Sequence, residues 1–282
     1  MAVEVTIKNK SLFKRKLNIK DLILDGIRYG IMDEAFRLEE NKIGENTVLF
    51  DKQHVCRGFE VSLNNNEIFL RMPLPTSTKD IEFFYNYITK ICKKFNTKKF
   101  IRENETVFID QIEEFINFDI ETSKNALKQM QTKIESEEMN NMYLFGAVNP
   151  ICLGKEEIEK INNSPRNLGE LLNSIQTKDV YYAKPSIYQK KDESFFGVFV
   201  LTSDVPTVLP YIPKLIMPNK EIKVNNWYLC FVVKDQMLGQ IAYDDFTSNL
   251  KDEDSYDSEH FVINLNEKII KDYLEKYRTE ID

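Results

Sequence analysis

Glu67-Ile68-Phe69-Leu70-Arg71-Met72, then Pro73 to Thr78, then the run to Phe108, is the stretch that decides the fold. The first six residues are a short apolar strand between Asn64-Asn65-Asn66 and Pro73, turn punctuation at both ends. Pro73 and Pro75 lack the N–H a ladder needs, so pairing is expected to stop there. Thr76-Ser77-Thr78 offers side-chain oxygens to the free N–H groups of a helix start. Ser77 with Asp80 has the spacing of a capping box, with Asp in place of the usual Glu. Ile81, Phe84, Tyr85, Ile88, Ile91, Cys92 and Phe95 then recur at intervals of three and four, the period of one helical face. Lys90, Lys93 and Lys94 suit the negative end of that helix, and Asn96 is placed to end it in the left-handed region. Each large apolar side chain buried on that face contributes about 1.5–3 kcal/mol before entropy, so the stripe reads as core.

Outward from this unit the pattern is mixed. Toward the N-terminus, Val3, Val5 and Ile7 alternate as a strand, Asn18 can cap a short helix through Leu24 ending near Gly26 or Gly30, and extended segments fall at 35–39, 47–51 and 58–63. With 67–72 these form an antiparallel meander. Beyond the central helix, 98–102 and 106–109 make a hairpin around Glu103-Asn104. Thr122 or Ser123 is expected to open a helix through Ile134, and the polar run 135–141 marks a boundary or connector. The second half reads as a strand at 143–148, helices at 155–161 and from Ser164-Pro165, and strands at 180–183 and 194–202. A proline-rich irregular stretch, a hairpin at 227–243, an acidic loop at 244–259, a strand at 261–265 and a helix capped by Asn266 complete it. A faint echo of strand, Pro/Thr/Ser turn and apolar stretch links 68–87 with 196–212. The expected class is α+β: antiparallel sheets with helices packed on one face, in two similar β-rich halves, 1–138 and 139–282, as separate domains or as one compact domain.

Composition limits the function. A 42% hydrophobic, 12% aromatic chain of 282 residues has ample core material and is not a disordered chain. Net charge −7 and pI near 5.2 argue against generic nucleic-acid binding through phosphates, although Lys8 to Lys16 holds a local basic cluster. The longest apolar run, Phe195–Leu201, is too short to span a bilayer, and Glu4, Lys8 and Lys10 interrupt any secretory signal. A cytoplasmic location is expected.

The chemistry-bearing residues are sparse. No phosphate-binding glycine loop or nucleophile elbow occurs. His54-Val55-Cys56 puts an imidazole and a thiol on one side of an extended segment. They are candidates for a nucleophile and base, with His260 a remote helper, or for two metal ligands that lack a second pair. Packing is the ordinary role of both. Cys56, Cys92, Cys152 and Cys230 show no C-x-x-C spacing. Asp244, Asp245, Asp252, Glu253, Asp254, Asp257 and Glu259 form an acidic stretch. Its spacing fails the calcium-loop register, because Asp257 stands where glycine is required. No metal or cofactor is expected. The stretch suits presentation of negative charge to a basic protein partner, a contact that raises association rate more than affinity.

Arg57-Gly58-Phe59-Glu60-Val61, the apolar strand after it, Leu74-Pro75-Thr76, and the helix with Phe84-Tyr85 resemble a bacterial family of cytoplasmic proteins of similar length, known only as a domain of unknown function. Ile7-Lys8-Asn9-Lys10 fits it too. The resemblance covers mainly the first half. It implies a bacterial origin and a single-chain architecture and carries over no catalytic residue. The leading expectation is a non-enzymatic protein that binds a partner, of the immunity or regulatory kind. The alternative is a hydrolase or transferase with a pocket between the halves, using Cys56, His54 or scattered carboxylates.

Overall fold

A computed structural model describes residues 1–8, 17–64, 67–214, 223–251 and 253–280. Of the expectations above, most of the basic cluster at 8–16, the Asn65-Asn66 turn, Pro218 and Asp252 lie outside the described residues. The chain divides into two compact units, Met1–Thr177 and Lys178–Asp282. It is an α+β protein whose strands pair mostly antiparallel.

The first unit is built on an eight-stranded antiparallel sheet. Its strands are β1 (Ala2–Lys8), β2 (Ile27–Met32), β3 (Leu38–Glu40), β4 (Thr47–Asp51), β5 (His54–Asn64), β6 (Glu67–Pro73), β7 (Lys99–Arg102) and β8 (Glu105–Phe108), in the order β3-β2-β4-β5-β6-β1-β7-β8. Helix α1 (Thr78–Lys94) lies between β6 and β7 in the chain. Alternation puts Val3, Val5 and Ile7 of β1, Val61 of β5, and Ile68, Leu70 and Met72 of β6 in the same core as Ile81, Phe84, Tyr85, Ile88, Ile91 and Cys92 of α1. The two expected turns of the central unit are as read: Ser77 Oγ accepts from Asp80 N at 2.9 Å, and Asn96 has φ 50°. Helix α2 (Ile112–Glu135), the two-stranded β9 (Met142–Phe145) and β10 (Pro150–Leu153), and helices α3 (Lys155–Ile161) and α4 (Pro165–Gln176) complete this unit.

The second unit holds two four-stranded sheets. Its elements are β11 (Tyr181–Tyr182), β12 (Ser186–Gln189), β13 (Phe195–Thr202), β14 (Thr207–Pro210), β15 (Val224–Val233), β16 (Gln236–Ala242), α5 (Tyr243–Thr247), β17 (Asp254–Asp257), β18 (His260–Ile263) and α6 (Glu267–Tyr277). The sheet orders are β11-β14-β18-β17 and β12-β13-β15-β16, and β11–β14 and β13–β15 are parallel pairs. Phe199, Leu201, Leu229, Phe231, Tyr243, Phe246 and Phe261 meet in its core with Ile270 and Leu274 of α6.

Several local readings change. The segment after Gly26 is strand β2: a Cβ on Gly30 would lie 2.5 Å from Glu39 O, so this glycine admits β3 rather than ending a helix. α2 is continuous, with no cap at Thr122 or Ser123, because Thr122 Oγ1 bonds back to Phe118 O inside the helix and buried Ser123 Oγ accepts from Thr76 N. The polar run 135–141 connects α2 to β9 inside the first unit. The proline-rich stretch contains strand β14, whose flanking Pro206 and terminal Pro210 leave the ladder between them intact. The acidic stretch is α5 followed by the β17–β18 hairpin. After β13 the chain enters a turn and β14 instead of a helix, so the echo of the 68–87 unit ends with the strand.

Candidate functional site

Cys56 lies in a polar hub, not in an open site. The first residues of β5 run where strand pairing is incomplete, and helix side chains take the place of a neighbouring strand. Asn173 Oδ1 accepts from Val55 N at 2.8 Å, and Gln176 Nε2 donates to Val55 O and Cys56 O. Asp80 Oδ2 accepts from Arg57 N (2.9 Å), Gly58 N (3.3 Å) and Thr76 Oγ1. Its carboxylate therefore reaches sideways to β5 and the preceding loop, not back to the helix cap. Arg57 Nε donates to Phe145 O at 3.0 Å and Nη1 to Pro75 O at 2.6 Å, next to the cis Leu74–Pro75 peptide. Gly58, at φ +63°, lies in the irregular register between the Leu49–Phe59 and Asp51–His54 pairs; a Cβ there would sit 2.4 Å from Leu49 O.

Burial, then Asp80, pushes the Cys56 thiol well above its ordinary range, and Arg57 opposes this without prevailing. A thiol held protonated is a poor nucleophile. His54 is half-buried beside Gly169 of α4, where a Cβ would lie 3.8 Å from its Nε2. Cys56 faces Ser77 and Asp80. All four cysteines are buried and free. Among the described residues no three His, Cys, Asp or Glu side chains are grouped to hold a metal ion, and no helix is long and apolar enough to cross a membrane.

A second network joins α1, α2 and β7. Tyr85 Oη donates to Asp119 Oδ2 at 2.6 Å, and Arg102 Nη2 donates to Asp119 Oδ1 at 2.6 Å. The guanidinium also lies 4.9 Å from the Phe115 ring centroid. Burial raises the Asp119 carboxyl against the pull of both partners.

The second unit brings together two residues seen in the sequence and one that was missed. Asp257, in the tight β17–β18 turn, accepts on Oδ1 from Glu259 N and His260 N, each at 2.9 Å. The same oxygen is 2.7 Å from His260 Nδ1, which places the ring proton on that nitrogen. Nε2 lies within hydrogen-bond distance of Tyr182 Oη, at 2.8 Å. Asp257 and His260 are buried and Tyr182 is partly exposed, so a hydrogen-bonded chain runs from the interior toward the surface. The tyrosine lies 78 positions before the histidine and reaches it through the β11–β14–β18 pairing; no spacing in the sequence announces it.

The acidic stretch separates into inward and outward groups. Asp257 is spent on the relay, and Glu259 pairs with Lys214. Asp244, Asp245, Glu253 and Asp254 stand in solvent. The first two occupy the opening turn of α5.

A family model described as a domain of unknown function, DUF4299, matches residues 2–273. The chain belongs to this family. Neither the curated proteins nor the solved structures contain a match to it. Membership extends over both units the resemblance that the sequence showed mainly in its first half, and the family's description assigns no reaction to the residues above.

Proposed function

We propose that this DUF4299 protein works by binding a basic protein partner, in an immunity-type or regulatory role. The observation that carries the reading is where the charge lies. The second unit has thirteen Lys and Arg against eighteen Asp and Glu, a net −5 of the chain's −7. Asp244, Asp245, Glu253 and Asp254 are exposed members of that excess. Such a surface steers a cationic partner and raises encounter rates by ~10–10³-fold at low ionic strength.

The test uses the whole chain as bait in lysate of its native cells. Wild type is compared with a variant carrying D244N, D245N, E253Q and D254N. A basic protein held by wild type at low salt, released at high salt and lost by the variant supports the reading. Equal capture by both baits refutes it.

A hydrolase or transferase is the second reading, and the Asp257–His260–Tyr182 relay favours it, because an imidazole oriented by a carboxylate is a general base. An activity abolished by Tyr182→Phe and His260→Gln in folded protein would select this reading.

A further inference from the structure

The solvent face of the eight-stranded sheet carries a groove whose composition follows from strand register. Glu60 of β5 pairs with Arg71 of β6, and Arg71 with Glu4 of β1. Side chains opposite one another share a face, so these three form a charged row across three strands. Two residues along, Ser62 pairs with Phe69, Phe69 with Thr6 and Thr6 with Ile101. This second row is amphipathic and runs beside the first. Glu103 closes the end, its Oε1 accepting from Glu4 N at 2.9 Å. The two rows line a cavity of about 420 Å³.

Three carboxylates face one guanidinium here. The ion pairs of Arg71, 3.9 Å to Glu4 and 3.6 Å to Glu60, are too long to be hydrogen bonds, and all three side chains are substantially exposed. An incoming cation therefore finds carboxylates that are not tightly held, while a phosphate backbone meets net negative charge. Phe69 and Ile101 are partly exposed beside them, an apolar strip on a face that water alone would leave polar.

We propose that this groove docks a segment of another protein that presents lysine or arginine beside apolar side chains. Its cations lie on the Glu60–Glu4–Glu103 row and its apolar groups on Phe69 and Ile101. The proposal shares with the reading above only the sign of the partner's charge, and it concerns the other unit.

The test is fluorescence anisotropy of the full chain with two labelled peptides of equal length, one of mixed lysine and leucine and one of lysine alone. Wild type is expected to bind the mixed peptide more tightly. Phe69→Ser should weaken the mixed peptide and leave oligolysine unchanged. E60Q with E103Q should weaken both about tenfold at low salt, an effect that fades as salt rises. The variant neutralised at Asp244, Asp245, Glu253 and Asp254 should bind the mixed peptide as wild type does. Failure of wild type to bind the mixed peptide, unchanged binding by both groove variants, or loss confined to the second-unit variant overturns the proposal. Circular dichroism confirms that the variants, all at sites at least partly exposed, are folded.

Discussion

Asp80 in the first unit and Asp257 in the second are equally buried, each 2% exposed, and each accepts from two main-chain N–H groups. They differ in what comes next. From Asp80 the network ends on Thr76 and on the main chain of β5, and its neighbour Arg57 spends its donors on the carbonyls of Phe145 and Pro75. From Asp257 it continues through an imidazole to a phenol that reaches the surface. A carboxylate whose bonds close on the backbone fixes architecture. One that opens through titratable groups to solvent has a route for a proton. Residue type and burial are the same; only the path outward separates scaffold from candidate chemistry.

Replacement of each carboxylate by alanine tests this contrast most severely. Asp80→Ala leaves two buried N–H groups and the Thr76 hydroxyl without their acceptor and removes the negative charge beside the buried Arg57 guanidinium, and should cost about 3–5 kcal/mol in urea unfolding. Asp257→Ala should cost about 2–3 kcal/mol, since it strands two N–H groups and the ring nitrogen of His260, and an imidazole, unlike a guanidinium, can sit neutral in the interior. If the second loss equals the first, the relay is as architectural as the hub. Tyr182→Phe removes only the outer hydroxyl and should cost about 1 kcal/mol or less by the same measurement; a larger loss would make Tyr182 a structural clamp. Thiol reactivity sharpens the description of the hub. Burial holds Cys56 protonated and pushes Cys92 up to about 11, so native protein near neutral pH should react with a disulfide reagent far more slowly than unfolded protein. Rapid labelling of Cys56 would reopen its case as a nucleophile.

The smallest expected effect lies on α6. Hydrogen bonds from Lys271 and Lys234 lower the Glu267 carboxyl from 4.5 to about 2. A carboxyl lowered on folding stabilises the native state above its ordinary value, and that contribution disappears as pH falls toward 2. Glu267→Gln should therefore be slightly less stable than wild type at neutral pH and converge with it as pH falls from 4.5 toward 2, which flattens the acid limb. An identical acid limb would show that this exposed pair contributes nothing.

The parts legible in the sequence were those written in one local period. The face of α1 follows from spacing alone, and the Lys234-Asp235 and Glu103-Asn104 turns, all four residues at positive φ, follow from short gaps between strands. β2 was hidden by Gly30, which resembles a helix stop and serves instead as the place where Glu39 O approaches. The hub is half visible: Arg57 stands in the stretch that carries the family resemblance, but its role is hidden, because its partners Pro75 O and Phe145 O are carbonyls, which no residue type reveals. Asp257 and His260 were both visible, but as part of an acidic loop and as a remote base. Only the strand pairing that delivers Tyr182 joins them.

The position of β1 bears on how the chain reaches this state. Strands β2 to β6 pair locally, β2 with β3, β4 with β5 and β5 with β6 as hairpins and β2 with β4 across β3, and can assemble in chain order. β1 instead lies between β6 and β7, with Ala2 opposite Pro73 and Val5 opposite Arg102. During synthesis this early strand of alternating valine and isoleucine must wait for a partner some seventy residues later, with both edges open. Until it docks, the β7–β8 hairpin has no strand to join on the sheet. Closing so long a loop costs entropy before any pairing repays it. Placement of β1 is thus the expected slow step, and the interval before it is when the nascent chain is most exposed to aggregation.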